Sequence, residues 1–67
     1  MTNKNVKIAR IKKEWTQRDL SSISGVGITS INKIEKYGIE NTKLSTLKKI
    51  AAALDSTVEE LFFSDEE

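Results

Sequence analysis

The sequence contains no cysteine, no histidine and no proline, and only three glycines. Without cysteine there is no disulfide framework, thiolate metal site or thiol nucleophile. Without histidine as well, zinc sites, haem ligation and imidazole acid–base chemistry lose their usual residues. A glycine-rich phosphate loop is missing too, as are paired carboxylates at a useful spacing, so an enzyme is not expected. No apolar run approaches the roughly 18 residues of a membrane helix. The start of the chain, Met1 to Lys7, lacks the apolar stretch of a signal peptide. A soluble, cytoplasmic protein without metal, cofactor or small-molecule substrate is expected. The scarcity of proline and glycine favours helices with short connections. Sixty-seven residues leave room for one core, hence one domain over 1–67.

What is present is charge, unevenly placed. The net charge is only +1, yet all eleven Lys and Arg fall within residues 1–49, facing four acids there. That segment carries +7, and residues 50–67 carry −6 with no base. A polyanion responds to local potential within a Debye length of about 8–10 Å, so the asymmetry matters more than the total. The first two-thirds could face nucleic acid, or could simply carry solvated lysines.

Turn signals at Trp15-Thr16, Gly25-Val26-Gly27, Gly38 and Asp55-Ser56-Thr57 divide the chain into five short helical stretches. The first, about Asn5 to Lys13, has two apolar stripes, Val6/Ala9/Lys13 and Ile8/Ile11/Trp15, and the pattern leaves open which is buried. Thr16 with Asp19 has the form of a capping box, which starts a second helix at Gln17. Leu20 and Ile23 form its apolar side, and Ser21 and Ser24 are small enough for close helix approach. Gly25 suits the left-handed position after a helix. A third helix, about Gly27 to Lys36, turns Ile31 and Ile34 inward and Ile28, Thr29, Asn32, Lys33 and Lys36 outward, and Gly38 stops it. After a loop at 39–43, a fourth helix from about Leu44 to Leu54 repeats Leu44, Leu47, Ile50, Ala51 and Leu54. Thr57 and Glu60 form a second capping box that opens a fifth helix, with Val58, Leu61 and Phe62 apolar. Residues 64–67 form an acidic tail.

Two short helices joined by a glycine turn, the second exposing small polar and basic residues, form a helix-turn-helix pattern over about 17–36. The segments Val6-Lys-Ile-Ala-Arg10, Trp15-Thr-Gln17-Arg-Asp-Leu20, Gly25-Val26, Ser30-Ile31-Asn-Lys-Ile34-Glu35, Leu44-Ser-Thr-Leu47-Lys-Lys-Ile50-Ala and Thr57-Val-Glu-Glu-Leu61-Phe carry a closer likeness. With these spacings the chain resembles the Cro/C1-type, XRE-like helix-turn-helix family over about residues 5–62. That family includes phage repressors and many small bacterial transcription factors. The resemblance implies an all-α, compact five-helix domain of the lambda-repressor-like kind. It also implies a sequence-specific transcriptional regulator, most simply a repressor.

Residue by residue, the resemblance places Ile28, Thr29, Asn32 and Lys33 against base edges in the major groove. The chemistry is suitable: lysine donates to guanine, asparagine pairs with adenine, and methyl groups meet the thymine methyl. Ile28 has packing in the core or at the turn as its alternative. Gln17, with Thr16 as the helix cap beside it, matches the family's phosphate anchor at a helix N-terminus. Ser30, Lys36, Asn41, Thr42 and Lys43 match its backbone grip, with Lys43 alternatively reaching the minor groove. Arg10 and Glu35 match a structural ion pair, and Trp15 a core position. The chain departs from the family at Gly27, where a hydroxyl cap is usual, at Ile28, where a polar reader is common, and in lacking a proline before the fourth helix.

One such domain covers little DNA, so a homodimer on a two-fold double-stranded DNA operator is expected. The adjacent Leu61, Phe62 and Phe63 are the candidate dimer interface, because one helix face cannot bury all three. At least one of them, Phe63 first, should stay exposed or meet a partner, unless it folds back on its own core. With no sensor domain in sight, small-ligand control is not expected. The alternative function is an antitoxin-like or other interaction module of the same fold, offering an apolar surface at Ile28 and Phe63 to a protein partner.

Overall fold

The computed structural model describes residues 4–63, so the acidic tail at 64–67 lies outside the described residues. Four α-helices follow in order: α1 (Lys4–Lys12), α2 (Gln17–Ser24), α3 (Ile28–Tyr37) and α4 (Leu44–Ala53). A turn of π-helix, Glu59–Phe63, comes last. No strand occurs among the described residues. The all-helical architecture agrees with the expectation from the sequence.

Local chemistry sets the boundaries. At the start of α2 the Asp19 amide donates to Thr16 Oγ1 at 3.0 Å, and the Thr16 amide donates to Asp19 Oδ2 at 2.9 Å. The capping box thus satisfies two amides that the helix itself leaves unpaired. Gly25 ends α2 in the left-handed conformation, φ 77°, which costs a residue without Cβ nothing. The two small serines of α2 fasten this turn. Ser21 Oγ donates to the Val26 carbonyl at 2.6 Å, and the Val26 amide donates to Ser24 Oγ at 3.2 Å.

The core is a single cluster drawn from every element. Val6, Leu20, Val26, Ile31, Ile34, Leu47, Ile50, Ala51, Leu54, Leu61 and Phe62 are buried, with Ala9, Trp15, Ile39, Ala53 and Val58 packed around them. Helix α2 packs on both α3 and α4, while α1 meets α3 and the π-helical turn. The ambiguity of α1 is resolved in favour of Val6 and Ala9, with Ile8 and Ile11 exposed. Trp15 still joins the core because it lies beyond the end of α1 and is not bound to that helix's outer stripe.

Three expectations are corrected. Ile23 is 55% exposed, because α2 faces its neighbours through Leu20 and the two serines, and Ile23 falls on the flank. Leu44 is exposed although it continues the stripe of Leu47, Ile50, Ala51 and Leu54. It occupies the first turn of α4, and a stripe is buried only as far as its neighbours extend. The fifth element begins with the expected capping box, Glu60 N donating to Thr57 Oγ1 at 3.0 Å, but winds as π-helix. Wider winding, with i→i+5 bonds, brings successive side chains closer in angle. The adjacent Leu61 and Phe62 therefore both reach the core.

Candidate nucleic-acid interface

Helix α3 is held by its inner face. Ile31 and Ile34 are buried, and Gly38, at φ 101°, terminates the helix with its amide donating to the Ile34 carbonyl at 3.0 Å. The outer face is left to solvent. Ile28, Thr29, Ser30, Asn32, Lys33 and Lys36 are all exposed. Ile28, at 41% exposure, is therefore not a core residue. Gly27 caps α3 with no side-chain hydrogen bond, consistent with a glycine where a hydroxyl is usual.

An ion pair fixes α3 to α1. Arg10 Nε donates to Glu35 Oε2 at 2.8 Å and Arg10 Nη2 to Glu35 Oε1 at 3.1 Å, with side-chain exposures of only 11% and 5%. The third nitrogen, Nη1, donates to the Trp15 carbonyl at 2.7 Å. The guanidinium thus ties the turn after α1 to α3. The two-pronged geometry uses the rigid fork of arginine, which lysine lacks.

Gln17, the first residue of α2, extends this arrangement. Its Nε2 donates to Glu35 Oε1 at 3.1 Å, and its Oε1 accepts from Asn32 Nδ2 at 3.2 Å. Four residues from three helices, Arg10, Glu35, Gln17 and Asn32, form one connected polar chain leading from the interior to the surface. The sequence pointed to Gln17 and Asn32 separately, one as a backbone contact and one as a base reader. Their direct bond was not legible, because it depends on the crossing of α2 over α3.

Beyond the end of α3 an open cavity of about 510 Å³ is lined by Ser30, Lys33, Tyr37, Gly38, Glu40, Asn41, Thr42, Lys43 and Thr46. Ser30, Lys33, Asn41, Thr42 and Lys43 were singled out from the sequence, and the fold gathers these five around one cavity. Asn41 turns the loop in the left-handed region, φ 64°, a conformation that asparagine tolerates better than most residues. Tyr37, Glu40 and Thr46 were not singled out. Tyr37 is the notable omission: it is 65% exposed and Lys36 Nζ stands 5.7 Å from its ring centroid. An aromatic at the end of an amphipathic helix, next to a glycine stop, was the available signal.

The C-terminal trio separates. Leu61 and Phe62 belong to the core of the chain, which removes them as surface for a partner, whereas Phe63 is 60% exposed. Among the described residues there is no group of acidic side chains that could hold a metal ion, and no helix long and apolar enough to cross a membrane.

No curated protein matches the chain. The family model described as helix-turn-helix matches residues 6–61, from Val6 in α1 to Leu61 in the π-helical turn. With that match over most of its length, the chain belongs to the Cro/C1-type, XRE-like helix-turn-helix family of DNA-binding transcription regulators.

Proposed function

We propose that the protein is a sequence-specific repressor that binds a pseudo-palindromic operator as a homodimer, with α3 in the major groove. The observation that carries this reading is the outer face of α3. Four side chains able to read base edges, Ile28, Thr29, Asn32 and Lys33, stand exposed on a helix whose inner face is locked by Ile31, Ile34 and the Arg10–Glu35 pair. Thr16, Gln17, Ser30, Lys36, Asn41, Thr42 and Lys43 are assigned to the phosphate backbone on either side. Such contacts set register and supply affinity without specifying sequence. Phe63 is the surface we assign to the dimer contact, since of the C-terminal trio it alone remains exposed. Two copies would then address half-sites about 34–36 Å apart.

The test is a titration of DNA from upstream of the protein's own reading frame, against scrambled DNA of equal length, at two salt concentrations. A preference of about 10³-fold or more, a steep salt slope and a footprint with two half-sites are expected. Equal, weak binding to both DNAs would overturn the repressor reading. It would favour the interaction-module reading, in which the exposed Ile28 and Phe63 meet a protein partner.

A further inference from the structure

The polar chain that ends on Asn32 has a direction. Glu35 stands against the Arg10 guanidinium, which donates to both of its oxygens. A carboxylate in that position only accepts. The end of the Gln17 amide that faces Glu35 must therefore be the NH₂ group. This places Gln17 Oε1 at the other end, and an amide oxygen also only accepts. The end of Asn32 that faces it, 3.2 Å away, must in turn be the NH₂ group. Reversing Gln17 would set its oxygen against a carboxylate oxygen and break both bonds at once.

We infer that the Arg10–Glu35 pair sets the donor–acceptor polarity of the Asn32 amide through Gln17, which makes Gln17 a positioning residue for base specificity. This rests on the reading of Asn32 as a base contact. An unrestrained asparagine can offer either end of its amide to the groove. Here one Nδ2 hydrogen is committed to Gln17, which leaves Oδ1 and the second Nδ2 hydrogen for DNA. An outward acceptor favours a base edge carrying an exocyclic amine. Adenine presents both an amine at N6 and an acceptor at N7, so it suits the remaining oxygen and hydrogen together. Guanine and thymine, which present O6 and O4 acceptors, meet Oδ1 unfavourably. A backbone role for Gln17 alone would carry no such preference.

The experiment selects bound sequences from a duplex library randomised over about two helical turns. It compares the unaltered protein with Gln17→Met, Asn32→Ala and the double variant, after thermal unfolding has shown that each is folded. Asn32→Ala identifies the base pair that Asn32 reads, by flattening preference there. At that pair the unaltered protein should favour adenine roughly ten- to hundred-fold over guanine or thymine. Gln17→Met should reduce that preference to below about three-fold at the same pair, leave the other pairs discriminated, and add nothing when Asn32 is already alanine. Two results would overturn the inference while sparing the base-contact reading. One is a uniform loss of affinity with an unchanged base profile, and the other is flattening at every pair, which marks a loosened helix. If Asn32→Ala flattens no pair, the base-contact reading fails and the inference goes with it.

Discussion

Arg10 and Glu35 lie twenty-five residues apart in sequence and meet through two hydrogen bonds, at 2.8 and 3.1 Å, with both side chains largely buried. The pair joins α1 to α3 and also anchors Gln17. Its importance lies less in net stability than in what happens when half of it is removed. Replacing both partners with apolar residues can be nearly neutral, whereas removing one leaves a buried charge unanswered.

Arg10→Met is therefore expected to destabilise the fold by about 3–5 kcal/mol, and the Arg10→Met/Glu35→Met double variant by clearly less than the sum of the single changes. Denaturant unfolding of the four proteins completes the cycle. Additive losses would mean that the two side chains do not act as a pair.

Core assignments offer a sharper contrast. Ile31 is fully buried, and Ile23 is 55% exposed although the sequence pattern placed it inward. Ile31→Ala should cost about 2–5 kcal/mol, by lost transfer energy and the cavity left behind. Ile23→Ala should stay within about 0.5 kcal/mol. The same unfolding measurement reads both, and a large loss at Ile23 would show that α2 packs through a different face.

The Ile23 error shows where sequence reading stops. The elements and their starts were legible because they depend on neighbours in the chain: Thr16 with Asp19, Thr57 with Glu60, and Gly25 and Gly38 at helix ends. The inward face of α4 was legible from Leu47 onward because four apolar residues repeat at helical spacing. Helix α2 has only eight residues and two apolar ones inside that span, Leu20 and Ile23, so its facing was underdetermined. The Arg10–Glu35 pair was legible through family resemblance. The Gln17–Asn32 bond and the cavity beside Tyr37 were not, since both are set by how elements cross. The π-helical winding at Glu59–Phe63 was not legible either, since nothing local distinguishes it from the α-helix that Thr57 and Glu60 announce.

Gly25 and Gly27 make a paired prediction from backbone geometry. A Cβ added at either position meets no atom within 4 Å, so crowding does not separate them. Conformation does: Gly25 has φ 77°, and Gly27 has φ −59°. Gly25→Ala should destabilise by about 1 kcal/mol, because an L side chain is strained there. Gly27→Ala places a residue in a conformation it already favours and restricts the unfolded chain, but alanine is a poorer N-cap than glycine, so the net change should stay within about 0.5 kcal/mol. The thermal unfolding midpoint should fall clearly for Gly25→Ala and move little for Gly27→Ala. Equal falls would contradict the backbone assigned to the turn.

Lys33 and Lys43 test the division of labour on DNA. Both line the cavity after α3, but Lys33 lies on α3 and Lys43 is the residue that caps α4. Under the proposed docking, Lys33 faces base edges and Lys43 faces backbone. Lys33→Ala should relax preference at one base pair, at a cost of about 1–3 kcal/mol for the preferred sequence. Lys43→Ala should weaken all sequences nearly equally and lower the slope of log affinity against log salt by about 1. Titrations of the preferred site and of single-base variants at several salt concentrations separate the two effects. An exchange of these signatures would rotate α3 in the groove and bring the loop at 39–43 to the bases.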